Sequence, residues 1–311
     1  MSPRDAGVWA TEDAPGSTPA GIATARARQS IAIACLIDRD PKFHRQLRRF
    51  VASLLHAGAD ADLHLVIHHI GPRPIIECDL PYRGDIDYRQ VEPFGAGDAA
   101  VYCNKLQQLE GLIALGADHV VLCDADLFFL ASPRDLIGSG CVRARVVDRE
   151  NPSSRALREL LDAARYPRER LCTPTGFGLA AMTHRLNCNG GLYVMARDQL
   201  RVLAPAWIRW SRFCLGRADI LGSKVLHADQ LGFMLAMLET QLPFADLPAG
   251  ANFPTHLPPA VYTNVPDRLS SLHYHRNVLD DGRLRRVDVE RIDHWIDAAN
   301  RVLEPSDHTL A

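Results

Sequence analysis

The chain has 311 residues, 47% of them hydrophobic and 23% charged, which is enough for one large domain with a substantial core. Its 35 basic and 37 acidic residues nearly cancel and no dense basic run stands out, which excludes nucleic acid as the expected partner. No apolar run approaches the roughly 18 to 20 residues that cross a bilayer, so no transmembrane segment is expected.

Residues 1–28 mix acidic side chains with Pro and Gly and contain no apolar stretch. They read as a disordered lead-in, not as a secretory signal, to one domain spanning 29–305. The eight cysteines are scattered without a C-x-x-C pair, the pattern of buried, reduced thiols in a cytoplasmic chain.

The first ordered element is SIAIACLID, 30–38, a continuous β-branched run expected to be a strand buried on both faces. A helix follows from Pro41 to a stop at Gly58, with Phe43, Leu47, Phe50, Val51, Leu54 and Leu55 at helical spacing. DLHLVIHHIG, 62–71, is a second strand, so strand, helix and strand form a βαβ unit and a parallel sheet. DIDYRQVEPF, 85–94, is a third strand, and 100–116 a helix ended by Gly116. HVVLCDAD, 119–126, is a fourth strand. A capped short helix in SPRDLIGSG, a strand in CVRARVVD and an amphipathic helix in PSSRALRELLDAARY come next. NCNGGLYVMA, 187–196, is strand-like with a polar, Gly-rich start. Helices are expected at 197–215, 228–240 and 288–303. The alternation predicts an α/β fold, in which ligands bind beyond the carboxyl ends of the strands.

Asp124 and Asp126 stand at such an end, inside the most apolar segment of the chain. Two unpaired buried carboxylates repel and are disfavoured, so something positive belongs beside them. Residues i and i+2 share a side of an extended segment, and Ala125 between them is small. The pair can therefore converge on an oxygen-preferring divalent cation, Mn²⁺ or Mg²⁺, whose shell is completed by substrate phosphates and water. Carboxylates two residues apart suit chelation better than the flanking arrangement of glycoside hydrolysis.

VVLCDADLFFL, NCNGGLYVM, HADQLGF and LHYH occur in that order, and together they resemble the metal-dependent nucleotide-sugar glycosyltransferases of the GT-A fold. The likeness is to the group that includes glycogenin and the bacterial lipopolysaccharide galactosyltransferases (glycosyltransferase family 8), and it covers roughly 30–280. It implies a Rossmann-like, mostly parallel sheet flanked by helices. It implies donor-diphosphate and metal binding at Asp124, Ala125 and Asp126, and His273, with His275 as the alternative, as a further metal ligand. Asn189 and Gly190 would lie near the donor sugar, Asp229 and Gln230 at the reacting carbon, Lys105 against the diphosphate or sugar, and Cys35, Ile37 and Arg39 at the nucleotide base. The family's late Gly and Lys-Pro-Trp are absent here, leaving Arg276 or Arg283 as substitutes. The expected activity is sugar transfer from a nucleoside-diphosphate donor, UDP-linked by preference, to an acceptor hydroxyl with retention; were the stereochemistry inverted, Asp229 would be the base. The acceptor class stays open among a glycan, a lipid-linked molecule and a small molecule, selected by 147–186 and 243–268. The rival readings are a metal-dependent nucleotidyltransferase or phosphohydrolase, which CLIDRDPKF disfavours by lacking a Gly-rich loop, and a non-catalytic nucleotide-sugar-binding protein.

Overall fold

The computed structural model describes residues 29–59, 63–71, 86–138, 140–167, 173–177 and 181–304. The expected disordered lead-in over 1–28, and Cys78 and Cys172, lie outside the described residues.

The strands are β1 (Ile31–Ile37), β2 (Leu63–Ile70), β3 (Ile86–Val91), β4 (His119–Cys123), β5 (Leu127–Phe129), β6 (Val142–Ala144), β7 (Thr173–Pro174), β8 (Met182–Thr183), β9 (Leu192–Ala196), β10 (Phe244–Asp246), β11 (Phe253–Pro254) and β12 (Ser271–His273). The α-helices are α1 (Pro41–His56), α2 (Leu109–Leu115), α3 (Ser154–Ala163), α4 (Arg197–Leu215), α5 (Ala218–Leu221), α6 (Ala228–Thr240) and α7 (Glu290–Leu303). Seven strands form one sheet in the order β10-β6-β9-β4-β1-β2-β3. β1 pairs in parallel with β2 and β4, and β2 with β3. The sheet is therefore mostly parallel, as expected, but β9 runs antiparallel between β4 and β6. That reversal brings the start of β9 to the carboxyl end of β4.

Alternation along β1 sorts the core. Ile31, Ile33, Cys35 and Ile37 face Leu47, Phe50, Val51 and Leu54 of α1. Ala32 and Ala34 face the opposite layer, where Tyr193, Trp207 and Phe233 pack under α4 and α6. Small alanines on that face leave room for the large rings. A second sheet, β11-β12-β5, joins β5 antiparallel to β12 and rests on α7 through Phe128, Phe253, Leu272, Tyr274, Ile292 and Ile296.

Three expectations change. The segment 100–116 is not one α-helix: Asp98–Gln108 is a 3₁₀ helix that passes into α2, which ends at Gly116 in the left-handed region. The tighter winding turns Asn104, Lys105 and Gln108 inward. The strand 119–126 stops at Cys123, and the two aspartates lie in the turn between β4 and β5. CVRARVVD yields a three-residue strand and an isolated bridge from Val146 to Cys188. The six described cysteines are free, and five are buried. Among the described residues no helix is long and apolar enough to cross a membrane.

Candidate active site

The turn Asp124–Ala125–Asp126 is held from both sides. Asp124 N donates to Gly191 O at 2.9 Å, and Tyr274 N donates to Asp126 O at 3.2 Å. Ala125 points into the core and is 4% exposed. The two carboxylates go to different partners.

Asp124 faces Lys105, whose Nζ lies 2.6 Å from Asp124 Oδ1, donates to Gly190 O at 2.9 Å and stands 3.4 Å from Asp229 Oδ2. Burial alone would lower the lysine's pKa, but the two carboxylates outweigh it and hold the pKa above the ordinary value. Asp229 is 1% exposed, and apart from Lys105 neither of its oxygens has a well-formed hydrogen bond. Burial pushes its carboxyl up to about 6, with Lys105 opposing and Asp124 adding to the rise. Asp229 is fixed by its backbone: its carbonyl accepts from Trp207 Nε1 at 2.7 Å, which locks the start of α6 to α4.

Asp126 faces histidines. His273 Nε2 is 3.3 Å from Asp126 Oδ1, and His275 Nδ1 is 3.8 Å from Asp126 Oδ2. The His273 and His275 rings stack at 3.8 Å, and His256 meets His275 edge-on at 4.0 Å. Burial would raise the Asp126 carboxyl, yet the charge of His273 beside it brings it well below the carboxylate range. For His275, burial and then the neighbouring His273 push the pKa down to about 2, which keeps the ring neutral. Asp126, His273 and His275 each present a ligand atom, all within 4.8 Å of one another. Both ring nitrogens of His273 and Nε2 of His275 lack hydrogen-bond partners, so each ring, once neutral, can offer one nitrogen lone pair to a cation. One carboxylate and two imidazoles fit a divalent first-row cation. Asp124, expected as a ligand, stands on the lysine side of the turn, outside this group of three.

Between the two sides lies the start of β9. Asn189 donates to Asp148 Oδ2 at 2.7 Å, and its own Oδ1 accepts from Gly191 N at 2.9 Å and Asn252 at 3.3 Å. A Cβ at Gly190 would come within 3.0 Å of Lys105 Nζ and 3.1 Å of Gln230 Nε2. One at Gly191 would come within 2.4 Å of His273 Cε1. Only glycine lets the strand pass so close to both clusters.

The structure thus gathers Lys105, Asp124, Asp126, Asn189, Gly190, Asp229, Gln230, His273 and His275 at the carboxyl end of β4, in the middle of the sheet. Cys35 and Ile37 end the neighbouring strand β1, with Cys35 opposite Cys123; their side chains are buried against α1, and burial, with Asp124 adding to it, pushes the Cys35 thiol up to about 12. Arg39 is exposed and lies across Gly71 at the end of β2. Arg283 pairs with Asp281, whereas Arg276 is exposed next to His275. Sequence reading missed Asp148, Asn252 and His256. Asp148 ends CVRARVVD and could have been found as a carboxylate at a second strand end; Asn252 and His256 sit in Pro-rich chain without periodicity.

No protein-family model and no curated protein matches the sequence. Among solved structures, the crystal structure of mouse xyloside xylosyltransferase 1, in its apo form, is similar to this chain: TM-score 0.51 at 13% identity, covering 80% of this chain and 98% of that one. At that identity the likeness is one of architecture, and it establishes the fold as the GT-A type of mixed, mostly parallel α/β sheet flanked by helices.

Proposed function

We propose that the chain is a metal-dependent glycosyltransferase that moves a sugar from a nucleoside-diphosphate donor, UDP-linked by preference, to an acceptor hydroxyl. The observation that carries this reading is the split turn: a buried cation bridging Asp124 and Asp229 lies beside a carboxylate and two imidazoles able to hold a second cation. Two positive centres along one edge suit a diphosphate. The similarity to a sugar transferase in fold supports the same reading.

A divalent cation held by Asp126, His273 and His275 would neutralise charge on the departing diphosphate. Two imidazoles in the set favour Mn²⁺ over Mg²⁺. Lys105 presents its amine to the diphosphate or the sugar from the other side. Asn189, oriented by Asp148, and the bare backbone at Gly190 admit the transferred ring. Asp229 and Gln230 hold its hydroxyls. Asp229 is engaged with Lys105 and shielded by burial, which suits a group that orients the sugar better than one that takes the acceptor's proton. The reading takes retention: the acceptor oxygen would bond to the anomeric carbon on the face from which the diphosphate oxygen departs, and the acceptor's proton would pass to that oxygen. The exposed Arg39 edge and the backbone at the end of β1 are the place for the nucleotide base.

The test is a thermal-shift panel of UDP, GDP, ADP and CDP, each with and without Mn²⁺, on the wild type and Asp126→Ala. The expected result is stabilisation by one nucleotide only with metal, about 2.7 kcal/mol at a hundredfold excess over Kd, and its loss in the variant. No shift by any nucleotide with any metal would refute the reading.

A further inference from the structure

Val101, Tyr102, Met182 and Val202 are the exposed large hydrophobic side chains among the described residues, and the first two are neighbours on the 3₁₀ helix that carries Lys105. Tyr102 is 50% exposed. It lies three residues before Lys105 on the 3₁₀ helix, where side chains at i and i+3 eclipse one another. Lys105 carries its amine to Asp124, Asp229 and Gly190, so Tyr102 stands one turn out from that cluster on the same face. Its ring centroid is 6.0 Å from that of His227, with the planes 31° apart. His227 is the residue from which α6 starts, and α6 presents Asp229 and Gln230 in its first turn. Two separate segments therefore bring rings to the rim of one site. The fold does not use the Tyr102 ring: Cys103, Leu106 and Leu109 supply the packing of this stretch. Burial, with Lys224 and Lys105 nearby, keeps the His227 pKa at about 4, so the brace is neutral.

We infer that Tyr102, braced by His227, is the acceptor subsite and that it takes a pyranose ring. A half-exposed phenol offers a flat apolar face and a polar tip, and a pyranose offers a face of C–H bonds with hydroxyls around its edge. A ring lying on Tyr102 directs a hydroxyl inward, toward Asp229 and Gln230. The acceptor is thereby a glycoside. This rests on the glycosyltransferase reading and narrows it.

The experiment is saturation-transfer NMR on the full chain with methyl β-D-xylopyranoside, methyl β-D-glucopyranoside and methyl β-D-galactopyranoside, in the presence of UDP and Mn²⁺. Tyr102→Ala, Tyr102→Leu and Tyr102→Phe are compared with the wild type, each after its melting temperature is recorded. At least one glycoside is expected to receive saturation at its ring protons. Its Kd is expected to weaken about tenfold in Tyr102→Ala and in Tyr102→Leu, which keeps an apolar side chain but no ring, and to stay near wild type in Tyr102→Phe. Failure of all three glycosides to bind, saturation confined to the methyl aglycone, or unchanged binding by Tyr102→Ala and Tyr102→Leu would overturn the assignment. Stabilisation of the wild type by UDP with Mn²⁺ separates the two ideas. If it is present and the glycosides fail, only the acceptor subsite falls; if it is absent, the glycosyltransferase reading falls first.

Discussion

Two aspartates separated by one alanine belong to two different machines. On the lysine side, Asp124 and Asp229 share one cation that is part of the chain, so this half has its positive charge as soon as the protein folds. On the histidine side, Asp126 meets two imidazoles, and both nitrogens of His273 and Nε2 of His275 have no hydrogen-bond partners, so this half has room for the contacts an added ion would make. The lesson concerns D-x-D motifs in turns. In an extended strand the two carboxylates would point together, but here β4 ends before the first, and the chain turns between them. The motif can then divide its labour between a built-in charge and a recruited one.

Breaking the lysine side should affect stability most. Lys105→Met leaves two carboxylates without their cation, and removing one partner of a buried ion pair typically costs about 3 to 5 kcal/mol. The low end is expected, because Asp229 can take up a proton; urea unfolding of the metal-free chain measures it. A Gly191→Ala substitution tests the wall between the two sides. Its Cβ would strike His273, so overpacking of about 1 to 3 kcal/mol should accompany a loss of Mn²⁺ binding by calorimetry. If Mn²⁺ affinity is unchanged, His273 is not a ligand. His275→Ala isolates the histidine side. Partners outside the ligand shell are already worth 10- to 100-fold in metal affinity, so loss of a ligand should cost at least about that, with unfolding in the absence of metal barely altered. The preference for Mn²⁺ over Mg²⁺ should narrow in the same variant.

The smallest effect is a pH signature of the lysine side. Asp229 is raised from 3.8 to about 6 by burial, so between those values the folded chain keeps a proton that the unfolded chain has released. Stability should fall as pH rises through that window. Asp229→Asn has no carboxyl to titrate there. It should be more stable than the wild type at pH 7, by on the order of 2 kcal/mol, and equal to it near pH 4. Parallel denaturation curves at the two pH values decide the point; equal differences at both would show that Lys105 compensates Asp229 fully.

Much of the lysine side was legible in the sequence. The bounds of α4 follow from periodic apolar positions over a long window, and α6, β1 and β9 from continuous apolar runs. Lys105 was visible as a basic residue in the segment before the aspartates, but the 3₁₀ winding that buries it was not, because its apolar residues also fit α-helical spacing. The histidine side was harder to read. β11 and β12 span two and three residues, too short for any alternation to register. His256 enters through a Pro-rich stretch, and Asp148 reaches Asn189 by a contact that only tertiary structure creates. The sequence could name His273 and His275 as alternatives; the geometry makes them partners.

The pairing of β5 with β12 has a temporal consequence. Leu127 lies opposite His273, joining strands from opposite halves of the sequence. During synthesis the turn that carries Asp126 emerges long before its histidines, and contacts of such long sequence separation close late. The lysine cluster can form once α6 is made, but the cluster of Asp126, His273 and His275 must wait for β12 to dock. A nascent or clipped chain ending before Ser271 would therefore lack both imidazoles beside Asp126, and under the proposed function its metal affinity would report whether β12 has reached its place.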